Sequence, residues 1–145
     1  MIISRIYKSL VRHVSDLIEE LNASKSLGII YHVWESRGEE DKLPKNILMG
    51  VDGFNFHENG GLWIIRFSIA LSSYQDTLLL REAEVLDAIY DWFHEKQRVP
   101  LRDLESGDED NQLVVTDFEI APMQQTMLRN YRTVSIELKR TANDG

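Results

Sequence analysis

Asn59-Gly60-Gly61-Leu62-Trp63-Ile64-Ile65-Arg66-Phe67-Ser68-Ile69-Ala70-Leu71 is the stretch whose reading decides the fold. Behind an Asn-Gly turn, Trp63, Ile65, Phe67, Ile69 and Leu71 alternate with Ile64, Arg66, Ser68 and Ala70. That is the period-two pattern of a strand with one buried face, entered through a hairpin. Its partner is the segment from Leu48 to Phe56. There the apolar parity switches between Ile47-Met49-Val51 and Phe54-Phe56, around Gly50 and Gly53, which predicts a bulge or kink.

Working outward, Ile3, Ile6, Tyr7, Leu10, Val14, Leu17, Ile18 and Leu21 recur at three and four residues, so an amphipathic helix precedes the hairpin. Gly28 and the polar run Asn22 to Ser26 end it, and Ile29 to Trp34 reads as a first strand. A charged loop, Glu35 to Lys45, follows. Beyond the hairpin, Ser73 and Asp76 offer caps to a second helix that runs to Gln97. Its apolar stripe is Leu79, Ala83, Leu86, Ile89, Tyr90 and Phe93, with Glu84, Asp87, Asp91 and Glu95 opposite, and Val99-Pro100 ends it. Asp103 to Asn111 reads as a solvated acidic connector. Two strands close the chain, one carrying Val114, Phe118 and Ile120 and the other Val134, Ile136 and Leu138, joined by the long connection Ala121 to Asn130.

These patterns predict an α+β fold in one domain over residues 1–145. A mixed or antiparallel sheet carries two main helices on one face, in the order α-β-β-β-α-β-β. The other sheet face is then solvated or covered by a partner, and Leu62, Ile64 and Ala70 on it keep both readings open.

The chain has 145 residues, one domain's worth, with 16 basic and 24 acidic residues for a net charge of −8. That balance repels polyanions and leaves no basic face for gripping nucleic acid. Cysteine is absent, which removes disulfides, thiol nucleophiles and Cys-based zinc sites. No apolar run approaches the roughly 18 residues needed to cross a bilayer, and the first residues lack the layout of a signal peptide. A cytoplasmic chain without membrane partners is the expectation.

Candidate chemistry is sparse. His13, His32, His57 and His94 fall on four different elements, none at metal-ligand spacing from another. Asp108, Asp110, Gln112 and Glu119 imitate a calcium loop, but Leu113 stands where the loop needs a turning Gly. Gly60-Gly61 lies in a hairpin and not between a strand and a helix, so it is a turn and not a phosphate cradle. Trp34, Trp63, Trp92 and the phenylalanines lie on buried stripes without basic neighbours. No catalytic, cofactor-binding or metal residue is assigned.

In layout the chain resembles the tail terminator, or tail completion, proteins of long-tailed bacteriophages. The resemblance runs over nearly the whole length: the helix from Ile6 to Leu21, the strand ending near Trp34, the charged loop, and Leu43-Pro44 leading into Ile47-Leu48-Met49-Gly50-Val51. It continues through Trp63-Ile64-Ile65-Arg66-Phe67, the helix from Asp76 to Gln97, and Val134-Ser135-Ile136-Glu137-Leu138. The resemblance implies a structural subunit and no enzyme. Such a subunit forms a ring, commonly hexameric, that caps the head-proximal end of the tail tube, stops its polymerisation and docks to the head. The implied partners are further copies of the chain, the tail tube protein and a head-completion or neck protein. DNA passes through without specific binding, which an acidic ring favours. The implied location is the neck of the virion, assembled in the host cytoplasm, with no cofactor.

A ring needs two different contact surfaces on each subunit. The expected candidates are the first loop, Glu39, Glu40, Asp41 and Lys42, and a projecting last connection with Gln124, Gln125, Arg129 and Asn130. Asp108, Glu109 and Asp110 are the candidates for facing the lumen or the tube. Two alternatives stay open at this point: another neck or head-tail connector component, and a small-ligand binding module.

Overall fold

A computed structural model describes residues 2–33, 46–74, 79–93, 98–102, 109–125 and 129–141. The chain begins with helix α1 (Ile2–Lys25), whose buried stripe is Ile6, Leu10, Val14, Leu17, Ile18 and Leu21. It ends where Ser26 takes a left-handed φ of 53° and donates its N–H to the Asn22 carbonyl at 3.2 Å, a single-bond C-cap. The Asn22 side chain then pairs with the backbone of Ile29. Its amide nitrogen donates to the Ile29 carbonyl at 2.8 Å, and its Oδ1 accepts from the Ile29 N–H at 2.7 Å. That two-way clamp aims the next strand.

Strand β1 (Ile30–Tyr31) runs parallel to the start of β2 (Leu48–Asn59). Shorter than the expected Ile29 to Trp34, it is followed by Trp34, which lies outside the described residues. β2 turns through Gly60 and Gly61, with φ of 60° and 81°, into β3 (Leu62–Tyr74). Positive φ at both loop positions makes a tight turn whose twist suits the hairpin. The expected irregularity in β2 is present as a register shift between Val51 and Gly53. It brings Phe54 and Phe56 onto the face already occupied by Met49 and Val51.

Helix α2 (Leu79–Trp92) leads to β4 (Arg98–Arg102), β5 (Glu109–Ile120), the two-residue β6 (Gln124–Gln125) and β7 (Arg129–Thr141). The sheet order is β1-β2-β3-β7-β5-β4, with β6 paired to β7 off that path; only the β1–β2 pairing is parallel. The fold is α+β with a mixed sheet, and the predicted element order holds apart from β4 and β6.

Both helices lie on one face. Tyr7 of α1 meets Phe54 of β2 edge-on at 5.2 Å, Phe93 just past α2 meets Phe67 of β3 at 5.5 Å, and Tyr90 of α2 meets Phe118 of β5 at 5.3 Å. α1 touches both β2 and β4, four places apart in the sheet, so the sheet wraps around it. The core between these layers is aliphatic and aromatic: Ile65, Ile69, Val85, Ile89, Val115, Val134 and Leu138 are all fully buried.

Two expectations are corrected. α2 does not bury Ala83 and Tyr90, which are exposed; it buries Glu82, Val85 and Ile89, with Phe93 buried just past its end. The helix is rotated toward Glu82 because that carboxylate pairs with Arg132 of β7 at 2.8 Å, and Arg132 also donates to the Ala121 carbonyl at 2.9 Å. The supposed acidic connector is also partly strand. Glu109 and Asp110 sit on β5 opposite Arg102 and Leu101 of β4, while Asp108 lies outside the described residues.

Candidate functional site

The described residues bring together no catalytic set. His13 is buried against Trp92, with ring centres 6.3 Å apart; His32 is half-buried and His57 exposed on other elements, and His94 lies outside the described residues. Among the described residues no group of three or more His, Asp or Glu is placed to hold a metal ion. Asp110 and Glu119 belong to one extended strand, about 30 Å apart at strand rise, and do not wrap a calcium ion. No described helix is long and apolar enough to cross a membrane.

The helix-free sheet face carries a shallow groove of about 640 Å³. Gly53, Ser68 and Ser135 stand side by side across β2, β3 and β7 and end at Glu119 on β5, so the floor is low because its side chains are short. The next row across is Asn55, Arg66, Glu137 and Asp117. Arg66 Nε donates to Glu137 Oε2 at 2.9 Å, Thr116 Oγ1 donates to Glu137 Oε1 at 2.9 Å, and Lys139 Nζ lies 3.9 Å away. The Arg66 hydrogen bond, with that from Thr116, holds the Glu137 carboxyl below the usual glutamate range. A carboxylate held by two donors is a tie between β3, β5 and β7, not a general acid or base. Leu62 and Ile64 are half-buried on this face near the hairpin.

The two flanks of the sheet differ. β1 covers only the first two residues of β2, so from Asp52 to Asn59 no strand lies outside β2 among the described residues. Beside this edge Tyr7 is 41% and Val33 58% exposed, and Tyr31 accepts a hydrogen bond from the Val51 N–H at 3.3 Å. Burial raises the Tyr31 phenol pKa above its ordinary value, against the lowering effect of that bond. An aromatic run continues from Phe54 to Phe56 and Trp63, at 6.1 and 5.8 Å.

On the other flank β4 pairs β5 only up to Val114, so from Val115 to Ile120 β5 is the outer strand among the described residues. There Tyr90, which meets Phe118, and Ile120 are 41% exposed each, and Leu80 elsewhere on α2 is 68% exposed. For Leu80 the available sequence signal was Leu79-Leu80, since two successive helical positions point about 100° apart and do not both face one core.

The expected contact residues divide. Glu39, Glu40, Asp41 and Lys42 lie outside the described residues. Gln124 and Gln125 are exposed on β6. Arg129 and Asn130 do not project: they open β7 and are buried, Arg129 completely. Arg129 Nε donates to Ser72 Oγ at 2.7 Å, and Nη2 donates to the Ser72 and Asn46 carbonyls at 3.1 and 2.8 Å. A fully buried guanidinium spent on its own chain is a strut and offers nothing to a neighbour.

No protein-family model and no curated protein matches the chain.

Proposed function

We propose that the protein is a structural ring subunit of the tail-terminator kind, assembling into a homo-oligomer, six copies by the resemblance, that caps a phage tail tube and presents a surface to the head or neck. The carrying observation is the pair of unlike flanks that the described residues leave uncovered on one sheet. A subunit whose two sides differ propagates head to tail and closes into a ring when the rotation allows. The outer strands of these flanks, β2 and β5, are three strand spacings apart, about 14 Å. The acidic balance supports a ring through which DNA slides. Under this reading the subunit works by position and contact, its partners are its own copies, a tube protein and a neck protein, and its place is the virion neck.

Native mass measurement at high protein concentration, followed by addition of isolated tail tubes, tests this. A discrete hexamer, or rings at one end of the tubes that stop their growth, is the expected result. A monomer that ignores tubes refutes it. The groove over Gly53, Ser68 and Ser135 favours one second reading, a small-ligand module, which a thermal-shift screen would reveal through ligand stabilisation.

A further inference from the structure

The two outer strands of the sheet present matching edges. Among the described residues, stretches 53–59 of β2 and 117–120 of β5 have no strand outside them. Both lie beyond the register shifts at Val51/Gly53 and Val115/Asp117, so each ladder is regular there. Neither stretch contains the Lys or Pro that guards many sheet edges. β2, β3, β7 and β5 alternate in direction, which makes the two outer strands antiparallel to each other. A neighbour related by rotation about an axis along the strands therefore brings its β2 antiparallel to this β5.

The hydrogen-bonding phase of each edge is set from within the sheet. Along an antiparallel ladder, successive residues turn their N–H and C=O to opposite sides. On β5, Ala121 donates inward to the Thr133 carbonyl at 2.9 Å, so Glu119 and Asp117 also bond inward while Phe118 and Ile120 turn their backbone groups outward. In agreement, the Phe118 N–H donates to Asp117 Oδ1 at 3.0 Å and not to β7. On β2, the Met49 carbonyl points away from β3, to the His32 N–H at 3.0 Å, so Leu71 opposite it bonds toward β7. β3 runs against β7 without a shift, so Phe67 and Ile65 bond the same way, and Phe54 and Phe56 opposite them turn their backbone groups outward.

We infer that ring neighbours join by strand addition: residues 53–59 of one copy of this chain pair antiparallel with residues 117–120 of the next, Phe56 opposite Phe118 and Phe54 opposite Ile120. This inference rests on the ring reading and names its interface. The register joins outward backbone groups to outward backbone groups and keeps those four apolar side chains on the helix side. On the groove side it sets His57 opposite Asp117 and Asn55 opposite Glu119, all four exposed, so hydrogen-bond donors meet carboxylates. A slip of two residues puts Glu58 against Phe118 in one direction and Asp52 against Ile120 in the other. Tyr7 on Phe54 and Tyr90 on Phe118, each 41% exposed, stand at the joint on the helix side.

The chain has no cysteine, so introduced thiols report this contact alone. In the stated register His57 and Asp117 form a non-hydrogen-bonded pair, with Cα atoms about 4.5 Å apart and within reach of a disulfide. A chain carrying both His57→Cys and Asp117→Cys should give, on mild oxidation, a covalent ladder that ends at the ring size. Both sites are exposed, so circular dichroism should match the parent chain. Each single variant should stay uncross-linked by itself, and a one-to-one mixture of the two should give dimers. A second reading needs no variant: in the assembled parent chain, hydrogen exchange at the Phe54, Phe56, Phe118 and Ile120 amides should slow at least tenfold against the dilute protomer.

Unchanged exchange in the assembled parent chain, or mixed single variants that assemble without cross-linking, overturns this interface and leaves the ring reading standing. So does His57→Cys cross-linking to itself, the mark of a two-fold β2 pair. A parent chain that fails to assemble, alone or on tubes, overturns both.

Discussion

Arg129 stands where β7 begins, with its guanidinium out of water and bonded to two carbonyls and a hydroxyl. Removing it would leave the Ser72 and Asn46 carbonyls without that donor, and a buried acceptor left unpaired costs more than the bond was worth. Arg129→Met should therefore lower unfolding free energy by about 2–4 kcal/mol, read from urea denaturation. A change under about 0.5 kcal/mol, the usual range for surface substitutions, would place the side chain back at the surface. Arg129→Glu should be worse, because it brings a carboxylate against carbonyl oxygens. Glu137 gives the corresponding prediction for pH. Its folded pKa lies below the ordinary 4.5, so its stabilisation is present above that value and is lost as pH falls through the lowered folded pKa. Glu137→Gln should flatten stability against pH in that acidic window only. The effect should stay within about 1 kcal/mol, because Arg66 is 69% exposed. An unchanged acid limb would mean the Arg66 and Thr116 bonds are not held in solution.

Short β1 depends on an absent side chain in its neighbour. A Cβ at Gly50 would collide with the His32 carbonyl, so glycine is what lets β1 approach β2. Gly50→Ala should cost about 1–3 kcal/mol and speed hydrogen exchange at the Ile30 and His32 amides, which donate to the Ile47 and Met49 carbonyls. Protection retained at both amides would show that β1 is held by other contacts. At this scale legibility followed the strength of periodicity. α1, β2, β3 and β7 carry long, regular apolar patterns, and even the β2 bulge shows as a change of parity. β4 was hidden because a five-residue strand containing Pro100 reads as the end of a helix. The start of β5 was hidden by Glu109 and Asp110, whose strand state depends on a partner strand that local composition does not reveal. α2 was assigned by period, but its rotation is set by the distant pairing of Glu82 with Arg132. The same remoteness concealed Arg129: its partners lie 57 and 83 residues away, and a lone arginine in a polar connection looks like surface. The flank residues are only half legible, since periodicity puts Tyr90 in the buried stripe and it is 41% exposed.

If the protein is the proposed ring subunit, its folding is coupled to its neighbours, which would give the whole molecule a thermodynamic signature independent of any interface residue. If the folded protomer is stabilised by assembly and the unfolded chain is not, mass action makes unfolding depend on protein concentration. For a hexamer, each tenfold rise should add about 1 kcal/mol of stability per protomer, or roughly 2–4 °C in midpoint for a chain of this size. The shift should shrink in high salt if opposite charges select the contact, because exposed charges are screened over about 3 Å at 1 M. A midpoint constant over a hundredfold range of concentration would mean that the flanks do not bind each other in free solution. Assembly would then have to be initiated by a tube, and the concentration dependence should reappear when tubes are present, because the first subunits seated there would supply the neighbour each later one needs.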